Sequence, residues 1–144
     1  MTSDYISVEL RKLIINRASK RCEYCLIHQD FSIYTHEVDH IIPIKHSGET
    51  AADNLALSCL SCNRHKGSDF ATIDQVTKEI VPLFNPRRQV WDEHFCITNA
   101  RIEGKTQIGQ ATARLLQLNI PNRVLERQVL ISQSQYPDQK SSSM

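Results

Sequence analysis

No stretch of this 144-residue chain approaches the roughly 20 consecutive apolar residues that a bilayer-spanning helix needs, which excludes a helical membrane protein. The start, Met1 to Tyr5, lacks the basic-then-apolar layout of a secretory signal, so the expected location is cytoplasmic, with no membrane partner. A charge excess is missing too. The 17 Lys and Arg stand against 16 Asp and Glu, a net charge of +1. That balance does not announce a nucleic-acid binder. A phosphate-binding face would have to be local, with acidic groups elsewhere or around a metal. No internal repeat is visible. The length allows one domain with a real core, plus an appendage.

Cysteine, by contrast, is plentiful and ordered. Four of the five fall in two CxxC pairs, Cys22/Cys25 and Cys59/Cys62, and Cys96 is left over. A reducing cytosol disfavours structural disulfides, so the pairs point first to a metal. Each CxxC presents two thiolates from one tight turn, which suits tetrahedral zinc. The bland alternatives are small buried hydrophobes or a redox pair. Thirty-three residues separate the pairs, so a strand-loop-strand excursion must bring them together. Four thiolates leave zinc no open position for chemistry. The metal's role would be structural, holding a core too small to hold itself.

The periodicity gives a coarse map. Ile6, Leu10, Leu13, Ile14 and Ala18 mark an amphipathic helix with Ser7 as N-cap. Phe31 to Ile42 is rich in β-branched and aromatic residues and reads as an extended strand limited by Pro43. His46 to Asp53 reads as a loop, Leu55 to Ser58 as a second strand. A short helix from near Cys59 ends at Gly67. Beyond that come a turn-rich stretch from Val81 to Arg88, a short aromatic segment from Trp91 to Phe95, and a hairpin of 95–98 with 101–103 over Asn99-Ala100. A helix capped by Thr106 runs to Leu118, and another enters through Pro121 and continues to about Gln133. The polar, Ser-rich tail from Tyr136 to Met144 reads as disordered.

Asp39-His40 closes the first strand. Neighbours on a strand face opposite ways unless the backbone turns, and Pro43 suggests that it does. Alone, such a pair is most often a surface or salt-bridged pair. Its company changes the reading: Asn54 lies before the second strand, with Asn63 and His65 just past the second CxxC. Taken together, Cys22-Glu23-Tyr24-Cys25, Glu37-Val38-Asp39-His40-Ile41-Ile42-Pro43, Asp53-Asn54-Leu55 and Cys59-Leu60-Ser61-Cys62-Asn63-Arg64-His65-Lys66-Gly67 closely resemble the HNH endonuclease family. The resemblance covers residues 22 to 67. Each fragment is common by itself; their order and spacing together are specific.

The resemblance implies an α+β protein with a ββα-metal core, in which a hairpin and a helix grip one divalent cation. It implies hydrolysis of phosphodiester bonds in DNA. His40 would be the general base, Asp39 a metal ligand, and Asn54 the brace that orients His40. The last metal position falls to Asn63, making an HNN-like variant as in the HNH domains of RNA-guided CRISPR nucleases, or to His65. A neutral imidazole can take a proton from water near neutral pH. Oxygen ligands favour Mg2+ or Mn2+ in the catalytic site, beside structural Zn2+. Arg64 and Lys66 would hold the substrate backbone. The family often carries two glycines in the long loop, where this chain has Ser47-Gly48.

Other features are weighed against blander readings. His36 and His46 read as surface or supporting histidines, and His28 as exposed. Trp91, His94 and Phe95 read as core packing, with a DNA contact as the alternative. Residues 78 to 127 hold eight basic against five acidic side chains, Arg87, Arg88, Arg101, Lys105, Arg114, Arg123 and Arg127 among them. Solvated faces explain that as easily as DNA does. The expected layout is a nuclease core at 6–75, an α+β extension at 76–136 and a disordered tail at 137–144, acting on DNA as a monomer or homodimer. The rival from another class is a non-catalytic zinc module that binds nucleic acid. It would need the cysteines and basic groups but not the Asp39, His40, Asn54, Asn63 set. A toxin or mobile-element nuclease would share the fold, with a different biology from a restriction enzyme.

Overall fold

The computed structural model describes residues 4–137. Chain order begins with α1 (Val8–Arg17), β1 (Glu37–His40), β2 (Leu55–Ser58) and α2 (Leu60–Lys66). It continues through β3 (Ala71–Ile73), β4 (Ile80–Pro82), α3 (Trp91–His94), β5 (Phe95–Thr98), β6 (Arg101–Gly104), α4 (Gln107–Leu115) and α5 (Pro121–Ser132). The strands form three two-stranded antiparallel hairpins, β1-β2, β3-β4 and β5-β6. This is an α+β protein.

Local chemistry sets the helix starts. Ser7 lies in extended backbone and its hydroxyl accepts from Leu10 N–H, satisfying one of the free donors of the first turn of α1. Thr106 does the same for α4, through Gly109 N–H at 3.0 Å. Pro121 occupies the first turn of α5, where its missing N–H costs nothing. The β5-β6 hairpin turns over Asn99 and Ala100, both with positive φ (51° and 67°), which suits the right-handed twist of the strands.

Hairpin β1-β2 pairs Val38 with Leu57, Asp39 with Ala56 and His40 with Leu55. Ile14 of α1 packs with Leu55 and Leu57 into a fully buried cluster, joined by Leu10, Ile15 and Val38. All four residues of β2 are buried, so both of its faces are covered. Its backbone is held from outside the sheet as well. Glu23 N–H donates to the Leu57 carbonyl (2.8 Å), and the Glu23 carboxylate accepts from Leu57 N–H (2.8 Å). Arg17 reaches the Leu55 carbonyl at 2.7 Å and Arg87 reaches it at 3.3 Å, while Arg87 also pairs with Glu23.

A second, larger core draws on both sides of residue 75. It joins Tyr24, Ile41, Ala56 and the four paired cysteines to Leu83, Phe84, Phe95, Ile102, Leu116, Leu118, Leu130 and Tyr136. Phe84 and Phe95 meet edge to face with centroids 5.3 Å apart, and Trp91 lies 5.0 Å from Phe95. Trp91 Nε1–H donates to the Tyr24 carbonyl at 2.9 Å, so the aromatic segment is core packing. α4 lies close against both α3 and β6: a Cβ on Gly109 would lie 2.0 Å from the His94 carbonyl oxygen, and one on Gly104 would lie 2.2 Å from Gln110 N.

Three elements depart from the sequence reading. The expected strand over 31–42 is regular only over Glu37–His40. Residues 29–31 form a 3-10 turn, and Ile33 and Tyr34 are exposed, because β2 supplies only four partners. The β3-β4 hairpin was not foreseen. Asp74 closes it by accepting N–H groups of Val76 and Thr77 at 2.8 Å each. Tyr136, expected in the disordered tail, is 2% exposed, and its hydroxyl donates to the Cys25 carbonyl at 2.7 Å. The rest of that tail, from residue 138, lies outside the described residues.

Thr112 of α4 is fully buried; its hydroxyl accepts from Phe84 N–H (2.8 Å) and donates to the Ile108 carbonyl (2.7 Å). Thr112→Val keeps the shape but leaves the Phe84 N–H without its partner. Leaving a buried donor unsatisfied costs about 1–3 kcal/mol. Urea denaturation should show a lower midpoint at unchanged slope; an unchanged midpoint would mean that water replaces the hydroxyl.

Candidate metal centre and nuclease site

The four paired cysteines converge. Their sulfur atoms all lie within 4.8 Å of one another, and all four residues are buried. Each CxxC closes a tight turn in which backbone N–H groups point at the first sulfur. Tyr24 and Cys25 N–H approach Cys22 Sγ at 3.4 Å, and Cys62 N–H approaches Cys59 Sγ at 3.4 Å. The Cys25 and Cys59 sulfurs are 3.7 Å apart, far beyond a disulfide bond. With zinc–sulfur bonds of about 2.3 Å, the edge of a tetrahedron is about 3.8 Å, so the arrangement fits a tetrahedral thiolate metal site. Without a cation the four thiols cannot all ionise. Hydrogen bonds from Cys22, Cys59 and Cys62 hold Cys25 well below its usual range, while burial pushes Cys62 well above it. A divalent cation removes that conflict.

One contributor was not foreseen. Arg123 of α5 is buried, and its guanidinium donates to Cys62 Sγ at 3.1 Å and Cys59 Sγ at 3.9 Å. Arg127, one turn on, is 2% exposed and donates to the carbonyls of Ala100 (2.7 Å) and Leu118 (2.6 Å). Meanwhile Leu125, Val129 and Ile131 of the same helix are exposed. That inversion of the usual pattern hid both arginines from a hydrophobic-periodicity reading. Arg87 is likewise committed, to Glu23 and Leu55. Much of the basic excess of the second half therefore serves internal pairing.

The ββα unit is assembled from β1, β2 and α2. Asp39 is 7% exposed and faces inward, where Tyr24 Oη–H donates to it at 3.2 Å and the Lys66 ammonium pairs with it at 3.1 Å. Burial pushes the Asp39 carboxyl above its usual range, and Lys66, Tyr24 and His40 pull it back. Lys66, expected at the substrate backbone, is 1% exposed. Its ammonium is taken by Asp39 and by the His40 carbonyl at 3.0 Å, so it does not project towards solvent. Arg64 is exposed.

His40 is half-buried, and its Nε2 lies 2.8 Å from Thr50 Oγ1 in the 41–54 loop. Asn54 closes that loop. Its Oδ1 accepts from Ile42 N–H (2.9 Å), and its Nδ2 donates to the carbonyls of Ile42 (3.0 Å) and Glu49 (2.9 Å). Its backbone carbonyl accepts from Ile41 N–H at 2.8 Å. Ser47 takes a left-handed conformation (φ 70°), a conformation for which glycine is the usual residue. A Cβ on Gly48 would come within 1.7 Å of the Ile42 carbonyl oxygen, so only glycine fits there.

Asn63 and His65 are two residues apart on α2, hence about 200° apart around it. Asn63 faces β1, with Nδ2 3.2 Å from Glu37 Oε1. His65 turns elsewhere, its Nδ1 2.8 Å from the Ser61 carbonyl, and lines a cavity of about 510 Å³ with Tyr34, Arg64 and Arg123. The remaining histidines stand apart from this group. His36 is buried with Nε2 2.9 Å from the Ile27 carbonyl, His46 packs edge-on against Phe70, and His28 caps the 29–31 turn.

Among the described residues no helix is long and apolar enough to cross a membrane. Residues 22–69 match the family model described as HNH endonuclease. The chain is 27% identical over 124 residues to the Septu protein PtuB of Bacillus thuringiensis. That alignment takes in 85% of this chain and 46% of the relative, so the chain spans about half the length of the curated protein it matches. No solved structure matches. The matched segment contains both CxxC turns, β1, the loop closed by Asn54, β2 and α2, and its four-cysteine cluster is that of a zinc-binding HNH segment at residues 22–69.

Proposed function

We propose that this chain is a metal-dependent endonuclease that hydrolyses phosphodiester bonds in DNA. The reading is supported by the placement of Asp39 and His40 on β1 and Asn63 on α2 of one ββα unit, with Asn54 tying the loop that holds Thr50 against His40. The nuclease unit is placed at 6–75, with 76–136 as its extension. It works in the cytoplasm as a monomer or homodimer, with zinc in the four-cysteine site.

The hard donors present, a carboxylate and an amide oxygen, suit magnesium or manganese. Asp39 and Asn63 would hold that cation, which would supply electrostatic stabilisation of the charge building on the phosphate. Asn63 is preferred to His65 because it lies on the β1 side of α2. His40 Nε2 lies 2.8 Å from Thr50 Oγ1; with Nε2 as the donor, the Nδ1 lone pair would be left to take the proton of the attacking water. The proton passes to Nδ1, the water oxygen bonds to phosphorus, and the leaving sugar oxygen takes the electron pair of the broken P–O bond. Arg64 is exposed on α2 and meets the substrate backbone. Lys66 acts from beneath, as the counter-charge of Asp39.

Zinc is tested by elemental analysis. Purified protein should carry one equivalent, and Cys22→Ser or Cys59→Ser should lose it along with most of the folded structure. Less than half an equivalent in a well-folded sample refutes structural zinc.

The choice of last ligand separates by variant. Asn63→Ala should abolish plasmid cleavage, while His65→Ala only weakens it; the reverse pattern moves the cation to His65.

The general base is tested by comparing His40→Ala, Asp39→Ala and wild type in plasmid cleavage across metal concentrations. His40→Ala should keep zinc, fold and DNA binding but lose about 10²–10⁴-fold in rate, the usual worth of a positioned base. Asp39→Ala should be partly rescued by excess manganese, and His40→Ala should not. Near wild-type cutting by folded His40→Ala refutes the general-base mechanism, even where the family assignment survives.

A further inference from the structure

The four-cysteine site is contributed entirely by residues 22–62, yet residues outside that segment close around it. Arg123 bridges two parts of the molecule. One side of its guanidinium donates to Cys62 Sγ (3.1 Å) and Cys59 Sγ (3.9 Å). The other donates to the carbonyls of Leu116 (2.8 Å) and Gln117 (3.2 Å) at the end of α4. Leu116 is the C-cap of α4 and Gln117 follows it, so the guanidinium sits at the helix C-terminus, where the backbone dipole favours a cation. Two further contacts hold the first CxxC turn by its carbonyls: Trp91 on Tyr24 at 2.9 Å, and Tyr136 on Cys25 at 2.7 Å.

Charge explains the need for a cation here. Four thiolates around a divalent ion carry two net negative charges in a buried site, which is costly without a counter-charge. Arg123 is 5% exposed; its hydrogen bonds all go to sulfur and carbonyl acceptors, and Glu126 is its acidic neighbour along α5. Its planar fork serves sulfur and carbonyl acceptors at once, which a lysine head cannot do with the same geometry.

We propose that Arg123 couples occupancy of the four-cysteine site to docking of the C-terminal helices, so that the metal holds α4 and α5 in place as well as the segment that ligates it. The proposal rests on the zinc reading and not on the nuclease reading. In it Arg123 is a positioning residue: it binds no substrate and acts through the cysteines.

The test uses full-length protein and two readouts other than cleavage. The first is the rate of zinc transfer to a chelating dye from wild type, Arg123→Lys and Arg123→Met. Partners of metal ligands are typically worth 10–100-fold in metal affinity. Arg123→Met should release zinc faster by about that factor, and Arg123→Lys, which keeps the charge but loses the fork, by less. Release from Arg123→Met at the wild-type rate overturns the proposal. The second readout is hydrogen exchange measured by mass spectrometry. In zinc-loaded Arg123→Met, peptides covering 107–132 should exchange faster while those around Cys22–Cys25 stay protected. If Arg123→Met does not fold, wild type decides alone: chelation with EDTA should raise exchange over 107–132 together with 22–62. Exchange that rises only over 22–62 overturns the coupling and leaves zinc intact. Wild-type protein that folds without zinc and takes up none overturns the zinc reading and, with it, the proposal.

Discussion

Four buried thiols within 4.8 Å of one another set the terms for everything around them. They lie at both ends of the β1-β2 excursion, so bringing them together closes 33 intervening residues into one loop. Closing a loop of that size is paid in chain entropy, and the cost is offset only if the junction is strong. Metal–thiolate bonding can supply that strength where a hairpin of four-residue strands cannot. With the junction made, β1 and β2 are held in register, and α2 starts directly from the second CxxC, with Cys59 as its N-cap. Asn63 therefore sits on a helix that starts at the four-cysteine site, and Asp39 and His40 sit on the strand paired with the one that ends there.

Local bonds tie the connection between the two strands. Asn54 makes three side-chain hydrogen bonds across the 41–54 loop, and Gly48 packs directly on the Ile42 carbonyl. A loop this closely tied holds Thr50 against His40, and Arg17 of α1 steadies it further by donating to the Ala52 carbonyl at 2.9 Å. On the opposite side, Asp39 and Lys66 form a buried pair beneath the strand. Such a pair is weak evidence for stability, since desolvation consumes much of the attraction. It does fix where the Asp39 carboxylate points.

The sequence made the local parts of this plain. Caps at Ser7 and Thr106, the Pro121 entry and the Asn99-Ala100 turn act within a few residues, and each was readable from side-chain chemistry. The cysteine spacing was readable because two CxxC pairs at this separation suit few arrangements other than a thiolate metal site. What stayed hidden depends on partners distant in the chain. The strand over 31–42 was read too long, since β-branched residues signal extended backbone but not where a partner strand stops. Arg123 and Arg127 looked like solvated charges, because charge on a helix ordinarily faces water; only the tertiary position of α5 turns them inward. Lys66 looked like a phosphate contact for the same reason. Tyr136 sat beside a Ser-rich tail and shared its label, although one aromatic ring can dock where its neighbours do not.

The treatment of β2 has a further consequence. A two-stranded sheet ordinarily leaves a row of unpaired backbone groups along each edge, which invites another chain to add a strand. At β2 the outward groups are already claimed: Leu57 by both the backbone and the carboxylate of Glu23, and Leu55 by two arginines from either half of the chain. Side chains thus stand where a third strand would go. The hairpin that carries His40 is closed on that edge to β-augmentation, and with it to the edge-to-edge pairing that leads small sheets into aggregates.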